Sequence, residues 1–433
     1  MELDISAYCG KQLHCACGRT HFCDIDRVEI DKGALSRLPE ILQDAQKIFL
    51  VADTNTWAVC GEAVAAYLKD WVNGKLVYER EGKLIPNEAA VAELNAAMPV
   101  DTDLVVGIGS GVINDICKFV TWKKKIPCTI VATAPSMDGY ASSGAAMIWE
   151  GMKVTFTTHP PKYIVADTDI VKNAPMDMIQ AGYGDIINKY SSLNDWRLAN
   201  LLNGEYLCQP IYDLVMEVTD NIRDSAAAVV NREDKAITLL MKGLVLIGMT
   251  LSLVESTRPG SGSEHHLGHF FEVTGLIHGK GHFMHGTDVA YASILTAGMR
   301  EQLCEAGPDF CMEPEQERLD AWERIYGPVK PEVEALQKTA GSYTRDRTAQ
   351  YREKWQEITT ILRECPTAAQ MKSMMGAVGF DMDAFEAMYG DRRIRDAMFY
   401  GKDLKDRYSF LWIYYSVFSG RKETVTWRQF LQN

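Results

Sequence analysis

Histidines are concentrated in one short stretch of the chain. Six of the nine histidines fall between His265 and His285, in the sequence HHLGHFFEVTGLIHGKGHFMH. His265 and His269 are four residues apart, so on a helix they would share one face. Neutral imidazole is the commonest side-chain metal ligand near pH 7. We therefore predict a metal site here, the alternatives being a histidine-rich surface loop or a hydrogen-bonded core histidine.

A metal site of this kind also needs a carboxylate, and Asp185 in AGYGDIINKY is the best candidate. Gly182 and Gly184 leave space beside it, and we expect Asp185 to open the first helix of a second domain. One carboxylate and two imidazoles leave a coordination position open for a substrate oxygen. For Asp185 alone, a helix cap or first-turn acid is an equal alternative.

A glycine-rich loop, GIGSG, spans residues 107–111 between a predicted strand and a predicted helix. Glycines let the backbone approach a diphosphate, and the helix N-terminus offers N–H groups. The loop departs from the GxGxxG spacing, so a tight turn is the alternative. Asp53 ends the first predicted strand, where an acid takes a ribose hydroxyl in dinucleotide folds or simply caps a helix.

Strands and helices alternate in the first half of the chain. Apolar runs ending in turn residues predict strands at 47–55, 75–81, 103–111 and 128–136, with helical spacing between them. This alternation predicts a Rossmann-like α/β domain with a parallel sheet over residues 1–173, residues 1–24 being a cysteine-rich extension. Beyond about Ile170 the periodicity is helical, so residues 174–433 are predicted to form an all-α metal-binding domain.

Composition excludes several classes of partner. The net charge of −13 argues against nucleic-acid and anionic-membrane partners. The longest apolar run, GLVLIGMTLSLV, is too short to span a bilayer and predicts a buried helix. The N-terminus does not resemble a signal peptide, so the eleven cysteines are expected to be reduced thiols of a cytoplasmic protein.

The N-terminal extension carries a cluster of potential soft-metal ligands, namely Cys9, His14, Cys15, Cys17, His21 and Cys23. Such a cluster can form a small zinc site. The spacing matches no standard zinc knuckle. We therefore expect unliganded thiols in this extension.

Six segments together resemble the sn-glycerol-1-phosphate dehydrogenases. They are GIGSGVINDICKF, VATAPSMDGYASSGAAM, ADTDIVKNAP, GYGDIINKY, RPGSGSEHHLGH and HGTDVA. The wider group includes iron-containing alcohol dehydrogenases, glycerol dehydrogenase and 3-dehydroquinate synthase, and the resemblance covers roughly residues 25–300. It implies a dehydroquinate synthase-like fold and a metal-dependent, NAD(P)-linked interconversion of dihydroxyacetone phosphate and sn-glycerol 1-phosphate.

The resemblance also implies residue roles. Contacts with the NAD(P) diphosphate fall to Gly109, Ser110 and Gly111. Contacts with other parts of the dinucleotide fall to Asp53, Thr133, Ser136 and Ser142. A divalent metal would be held by Asp185, His265 and His285. The residues implied to contact the substrate are Asp138, Asp185 and His269. Of these, Asp138 and His269 are also implied to be catalytic.

One metal ligand has a rival within the cluster. His285 is preferred to His282 because the family's last ligand precedes a glycine, as His285 precedes Gly286. In the implied mechanism the metal acts as a Lewis acid on the substrate oxygen and His269 relays a proton. His266 and His278 match no family position.

Other functions and details stay open at this point. The alternatives are a glycerol or polyol dehydrogenase without phosphate specificity, a dehydroquinate synthase-like lyase and a non-catalytic metal or nucleotide sensor. Arg258 and Lys189 are candidates to hold a substrate phosphate. Zinc, nickel and iron all suit the ligand set. Asp53 favours NAD because a carboxylate repels a 2′-phosphate. The resemblance implies a homodimer.

Overall fold

The computed structural model describes residues 3–150 and 152–431. The chain forms two compact units, and both are discontinuous in sequence. The first comprises Met1–Ile186 and Asp220–Thr257, and the second comprises Ile187–Thr219 and Arg258–Asn433. A compact unit is not the same division as a domain, so the predicted domain boundary after Asn173 stays a prediction.

Ten strands lie in the described part of the first unit. In chain order they are β1 Gln12–His14, β2 Thr20–Phe22, β3 Arg27–Asp31, β4 Ile48–Asp53, β5 Val72–Tyr78, β6 Leu104–Gly109, β7 Cys128–Ala132, β8 Gly144–Trp149, β9 Met152–Thr157 and β10 Tyr163–Asp167. Six of them form a parallel sheet in the order β3-β10-β7-β6-β4-β5. β1 with β2, and β8 with β9, form separate antiparallel pairs.

Helices connect these strands and make up the second unit. The α-helices are, in chain order, α1 Leu38–Ile41, α2 Thr54–Thr56, α3 Glu62–Tyr67, α4 Glu88–Ala97, α5 Gly111–Lys124, α6 Thr168–Val171, α7 Met176–Ile187, α8 Lys189–Asn203, α9 Gln209–Asp224, α10 Ala226–Val230, α11 Asp234–Leu253, α12 Ser263–Ile277, α13 His285–Ala306, α14 Glu315–Tyr326, α15 Lys330–Ala340, α16 Thr348–Glu353, α17 Trp355–Leu362, α18 Ala368–Gly376, α19 Met382–Tyr400 and α20 Leu411–Phe418.

Shorter helical turns complete the list of elements. The turns of 3₁₀ type are Ile5–Tyr8, Ala34–Arg37, Asp138–Ala141, Gly327–Val329, Gly401–Leu404, Ser419–Thr424 and Trp427–Leu431, and Trp57–Gly61 is a π-helical turn. Beyond β10, the elements of the described chain are all helical. The predicted fold class, a parallel α/β sheet followed by a helical region, is therefore confirmed.

Apolar sequence explains the centre of the sheet. β6 and β7 are buried at every position, as are the first five residues of β4. Strands covered by helices on both faces read as continuous apolar runs rather than alternating ones. These strands were predicted for that reason. Strand β3 was not predicted, because its sequence RVEID carries three charged residues; it lies at the sheet edge.

Helix α11 belongs to the first unit and contains the longest apolar run. The helix is 20 residues long, because residues 234–242 extend the apolar run, so its length alone does not exclude a membrane span. By length and composition the helix could cross a membrane, yet 72% of its most apolar 18-residue stretch is buried inside the protein. The predicted buried helix is therefore confirmed.

A buried ion pair organises the second unit. The carboxylate of Asp195 on α8 accepts hydrogen bonds from the backbone N–H groups of Ser263 (2.7 Å) and Phe410 (2.9 Å). It also lies 3.1 Å from the guanidinium of Arg300 on α13, and both side chains are buried. Because Ser263 is the first residue of α12, this carboxylate also faces the positive end of that helix. Asp195 therefore fixes where α12 begins, and α12 carries three of the clustered histidines.

Candidate active site

The glycine-rich loop joins β6 to α5 in the first unit. A Cβ atom added to Gly109 would lie 2.7 Å from Cβ and Cγ1 of Ile113, so only glycine fits there without displacement. A Cβ on Gly111 would lie 3.0 Å from the Met137 sulfur, the flexible end of a side chain. Ser110 is the N-cap residue of α5. The loop therefore presents backbone at a helix N-terminus, which is the arrangement that binds phosphate groups.

The segment after β7 holds the other predicted cofactor residues. The Thr133 N–H donates to the Gly109 carbonyl oxygen (3.1 Å), which ties this segment to the glycine loop. Ser136 follows three residues later, and the Ser142 hydroxyl donates to the Gly139 carbonyl oxygen (3.1 Å). The fold thus brings the glycine loop and the segment 133–144 together, although no described contact identifies what each side chain would bind.

Asp53 has a structural role in the fold. Its Oδ1 atom accepts a hydrogen bond from the Thr56 N–H (2.8 Å), and the Thr56 hydroxyl pairs with the Asp53 N–H (3.1 Å). This reciprocal pair is a capping box at the start of α2. The cap therefore accounts for an acid at this position, and the contact with a ribose stays a prediction.

Lys118 was missed by the sequence analysis and is buried on α5. Its ammonium donates to the carbonyl oxygens of Gly139 (3.0 Å), Ser142 (3.4 Å) and Gly144. It also lies 3.3 Å from Asp115 Oδ1, and burial raises the pKa of that carboxyl above its usual value. Lys118 therefore holds the segment 139–144 against α5. A lysine within the apolar INDICKFV run was the available signal.

Asp185 is buried near the end of α7. The expectation that it opens a helix was wrong, because α7 already begins at Met176, and an N-cap role is excluded for the same reason. Its Oδ2 atom accepts a hydrogen bond from the Asp138 N–H (2.8 Å). A Cβ on Gly182 would lie 1.8 Å from the Pro135 carbonyl oxygen, so this glycine allows α7 to approach the segment that carries Asp138.

Three of the clustered histidines lie close together in the second unit. His265 and His269 lie on α12, and His285 begins α13. Their ring centroids are 6.0 Å apart for His265 and His269, 5.1 Å for His265 and His285, and 5.3 Å for His269 and His285. The donor atoms of His269, Glu272 and His285 lie within 4.8 Å of one another. The chemistry of this donor set suits a divalent transition-metal ion.

Two carboxylates orient these rings, and the sequence analysis missed both. His265 Nδ1 lies 2.7 Å from Glu264 Oε1, and His285 Nδ1 lies 3.0 Å from Glu272 Oε1. An ionised carboxylate only accepts hydrogen bonds, so each Nδ1 must carry the proton and each Nε2 must carry the lone pair. Carboxylates placed in this way behind imidazoles are typical of metal sites. Glu272, three residues after His269 on the same helical face, was the available signal.

His282 makes different contacts. Its Nδ1 lies 2.6 Å from the Phe283 carbonyl oxygen and 3.8 Å from Asp288 Oδ2. The Asp288 contact raises the pKa of His282, and burial raises the pKa of Asp288 to about 6. The Tyr389 hydroxyl donates to the same carboxylate. These contacts give His282 a structural role, while the choice between His282 and His285 as ligand stays a prediction.

The two histidines without an implied role lie in different environments, His266 in the protein interior and His278 at the exposed end of α12. His266 is buried, neither ring nitrogen has a hydrogen-bond partner among the described residues, and burial lowers its pKa far below the usual value. Its ring is therefore neutral. His278 Nε2 lies 2.9 Å from the Ile325 carbonyl oxygen. His266 is therefore a core histidine, whereas His278 is an exposed residue that contacts a backbone carbonyl.

The two candidates for holding a substrate phosphate are both buried in the second unit. Arg258 forms an ion pair with Glu205 and donates to the Tyr408 carbonyl oxygen (2.7 Å). It lines a cavity of about 770 Å³ that contains none of the predicted metal ligands. Lys189 donates to the Gly260 carbonyl oxygen (2.9 Å). Of the two, Arg258 already has its charge balanced by Glu205.

Comparison with known proteins first gives the class. Residues 29–175 match the family model of iron-containing alcohol dehydrogenases. The solved structure of glycerol dehydrogenase from Schizosaccharomyces pombe is similar in fold, with a TM-score of 0.57 and 16% identity, covering 93% of this chain and 90% of that one. At that identity the likeness shows the fold, which is the predicted dehydroquinate synthase-like one.

Two sequence relatives then give the family. A glycerol-1-phosphate dehydrogenase [NAD(P)+] of Halalkalibacterium halodurans is 32% identical over 292 residues, which cover 66% of this chain and 73% of the relative. The protein of the same name from Bacillus licheniformis is 28% identical over 416 residues, which cover 94% of both chains. The chain belongs to the glycerol-1-phosphate dehydrogenase family, and the predicted family is confirmed.

Proposed function

We propose that the chain interconverts dihydroxyacetone phosphate and sn-glycerol 1-phosphate, with NAD(P) as hydride carrier and one divalent metal ion. The observation that carries this proposal is the family membership, supported by relatives named for this activity. The family membership confirms the predicted NAD(P)-dependent alcohol dehydrogenase and its predicted cofactors, NAD(P) and a divalent metal. The cytoplasmic location and the homodimer stay predictions.

The residue roles are part of the proposal. Gly109, Ser110 and Gly111 hold the cofactor diphosphate, and its other parts contact Asp53, Thr133, Ser136 and Ser142. The glycine loop supports this, because a Cβ on Gly109 would clash with α5. Asp185, His265 and His285 hold the metal. The carboxylates on Nδ1 of both histidines support their role, because they leave Nε2 as the coordinating atom.

In this proposal the protein binds and orients the substrate and moves one proton. When bound, the metal supplies Lewis acidity at the substrate's secondary oxygen and the nicotinamide supplies or accepts hydride. Asp138 contacts the substrate, and its backbone N–H fixes the Asp185 carboxylate. His269, on the helical face that carries His265, exchanges the proton of the substrate hydroxyl.

The experiment compares dihydroxyacetone phosphate with dihydroxyacetone in an NADH- and NADPH-oxidation assay, with the metal content of the same sample measured. The two ketones differ only in the phosphate, so each is the matched control for the other. Charge-assisted hydrogen bonds to a phosphate contribute roughly 1.5–3 kcal/mol each. Two of them predict a specificity constant for the phosphate ester that is higher by on the order of a hundredfold or more.

The outcomes separate the alternatives. Equal rates on the two ketones would leave a polyol dehydrogenase without phosphate specificity. Turnover without net NADH consumption would favour a lyase, and tight NAD(P) binding without any turnover would favour a sensor. A chiral assay that returned sn-glycerol 3-phosphate would contradict the stereochemistry.

A further inference from the structure

The N-terminal hairpin gathers three soft-metal ligands that the dehydrogenase reaction does not use. Strands β1 and β2 pair antiparallel, and the turn between them is closed by hydrogen bonds from the Cys15 N–H to the Arg19 carbonyl oxygen (3.0 Å) and from the Gly18 N–H to the Cys15 carbonyl oxygen (3.0 Å). Gly18 has φ of +86°, which permits this tight turn. The turn carries both Cys15 and Cys17, and β2 carries His21.

The ligand atoms of these three residues already lie at coordination spacing. The two sulfur atoms and a ring nitrogen of His21 lie within 4.8 Å of one another. Cys17 Sγ is 3.4 Å from His21 Nε2. Zinc–sulfur and zinc–nitrogen bonds at a tetrahedral angle place the two ligand atoms about 3.5 Å apart. The observed distance therefore matches that of two ligands of one zinc ion.

The orientation of His21 supports coordination through the same nitrogen. His21 is buried, and its Nδ1 lies 2.6 Å from the carbonyl oxygen of Leu253 at the end of α11. A carbonyl oxygen only accepts, so Nδ1 carries the proton and Nε2 carries the lone pair that faces Cys17. A zinc-bound histidine commonly donates its other ring N–H to a carbonyl oxygen in this way.

The neighbouring cysteines have a different environment. Cys9 and Cys23 are buried. Their side chains therefore pack in the protein interior. Cys15 and Cys17 are only partly buried. The sequence spacing alone favoured unliganded thiols throughout the extension, whereas the folded hairpin separates two cysteines from the rest.

We infer that Cys15, Cys17 and His21 bind a structural zinc ion, distinct from the proposed dehydrogenase metal. Binding releases the thiol protons and cross-links the turn to β2, and a further ligand completes the tetrahedron. The set of two thiolates and an imidazole selects zinc over magnesium or calcium, which prefer oxygen ligands. The inference does not rest on the proposed function.

The test compares the zinc content of hairpin variants with that of their parent, all carrying His285→Ala, the substitution expected to remove the dehydrogenase metal. Elemental analysis of the parent should return about one zinc ion per chain. Adding Cys17→Ser or His21→Gln should remove that zinc. Matched controls are Cys304→Ser for loss of a thiol and His14→Gln for loss of a histidine from the same hairpin, and both should retain it.

A spectroscopic measurement keeps the inference testable if the hairpin variants fold poorly. Cobalt(II) exchanged into the otherwise unaltered protein should give the near-ultraviolet thiolate-to-cobalt charge-transfer band, which a carboxylate–histidine site cannot produce. Cobalt-loaded protein without this band, or zinc retained in full by folded Cys17→Ser protein, would overturn the inference. Serine variants of the other cysteines then identify any further thiolate ligand.

Discussion

The glycine loop of the first unit and the histidine cluster of the second are built in opposite ways. The loop depends on atoms that are missing: a Cβ on Gly109 would lie 2.7 Å from Ile113. The cluster depends on atoms that are present, because His265 and His285 are each oriented by a carboxylate at Nδ1. Adding a Cβ atom to the glycine loop should therefore weaken cofactor binding. Removing a histidine or its carboxylate should weaken metal binding at the cluster.

The largest effect is expected from removing a ligand of the cluster. His285→Ala should abolish stoichiometric metal binding and lower kcat/KM by roughly a thousandfold or more, because Lewis-acid stabilisation is worth several kcal/mol. Metal content and turnover are measured on the same preparation, with circular dichroism to show that the fold persists.

The matched control for that prediction is His282→Ala. His282 contacts the Phe283 carbonyl oxygen and Asp288, so its loss should affect stability more than metal content. Full metal content in His285→Ala together with loss in His282→Ala would reverse the assignment of the two histidines.

A smaller effect is expected when the orienting carboxylate is neutralised. Glu272→Gln keeps an acceptor near His285 Nδ1 but loses the charge, and it should weaken metal binding by about 10–100-fold. A competition titration with a metal chelator measures this change, and Glu305→Gln, an exposed glutamate on α13, is the control. Complete loss of metal would instead make Glu272 a direct ligand, in the set it forms with His269 and His285.

The smallest effect is expected in the glycine loop. Gly109→Ala forces Ile113 of the following helix to move and should weaken NAD(P) binding by about tenfold, the loss of roughly one good contact. Gly111→Ala meets only the flexible end of Met137 and should cost less. Gly376→Ala, where no atom lies within 4 Å, is the control, and nucleotide titration is the measurement. Equal affinities in all three variants would make the loop a simple turn.

The sequence carried different amounts of information about these two regions. Strands β4, β6 and β7 and the glycine loop were predictable because apolar runs ending in turn residues are local signals. The position of Asp185 near the end of α7 was not, because Asp185 was expected to open a helix. Gly182 lies inside α7 because its missing Cβ admits the Pro135 carbonyl oxygen, which is a long-range requirement.

The supporting charges left only weak signals in the sequence. Lys118 and Glu272 contact groups that only the fold brings near, and single charged residues in helices have many ordinary uses. The histidine types were informative because six of them in one segment exceed what packing needs. Residue type therefore indicated candidate ligands, and only the folded chain revealed what orients their rings.

The return of the chain to the first unit at Asp220 has a consequence for biosynthesis. Helix α11 packs against the segment that carries Asp138. Gly248 of this helix lies so close to the Asp138 carbonyl oxygen that no side chain would fit. A ribosome that has released residue 186 has therefore not yet made the partner of the segment that follows β7. Until residue 257 emerges, part of the apolar surface of the nascent sheet domain stays uncovered, and such surface is prone to aggregation. A gene truncated at residue 186 should yield aggregates rather than a nucleotide-binding fragment.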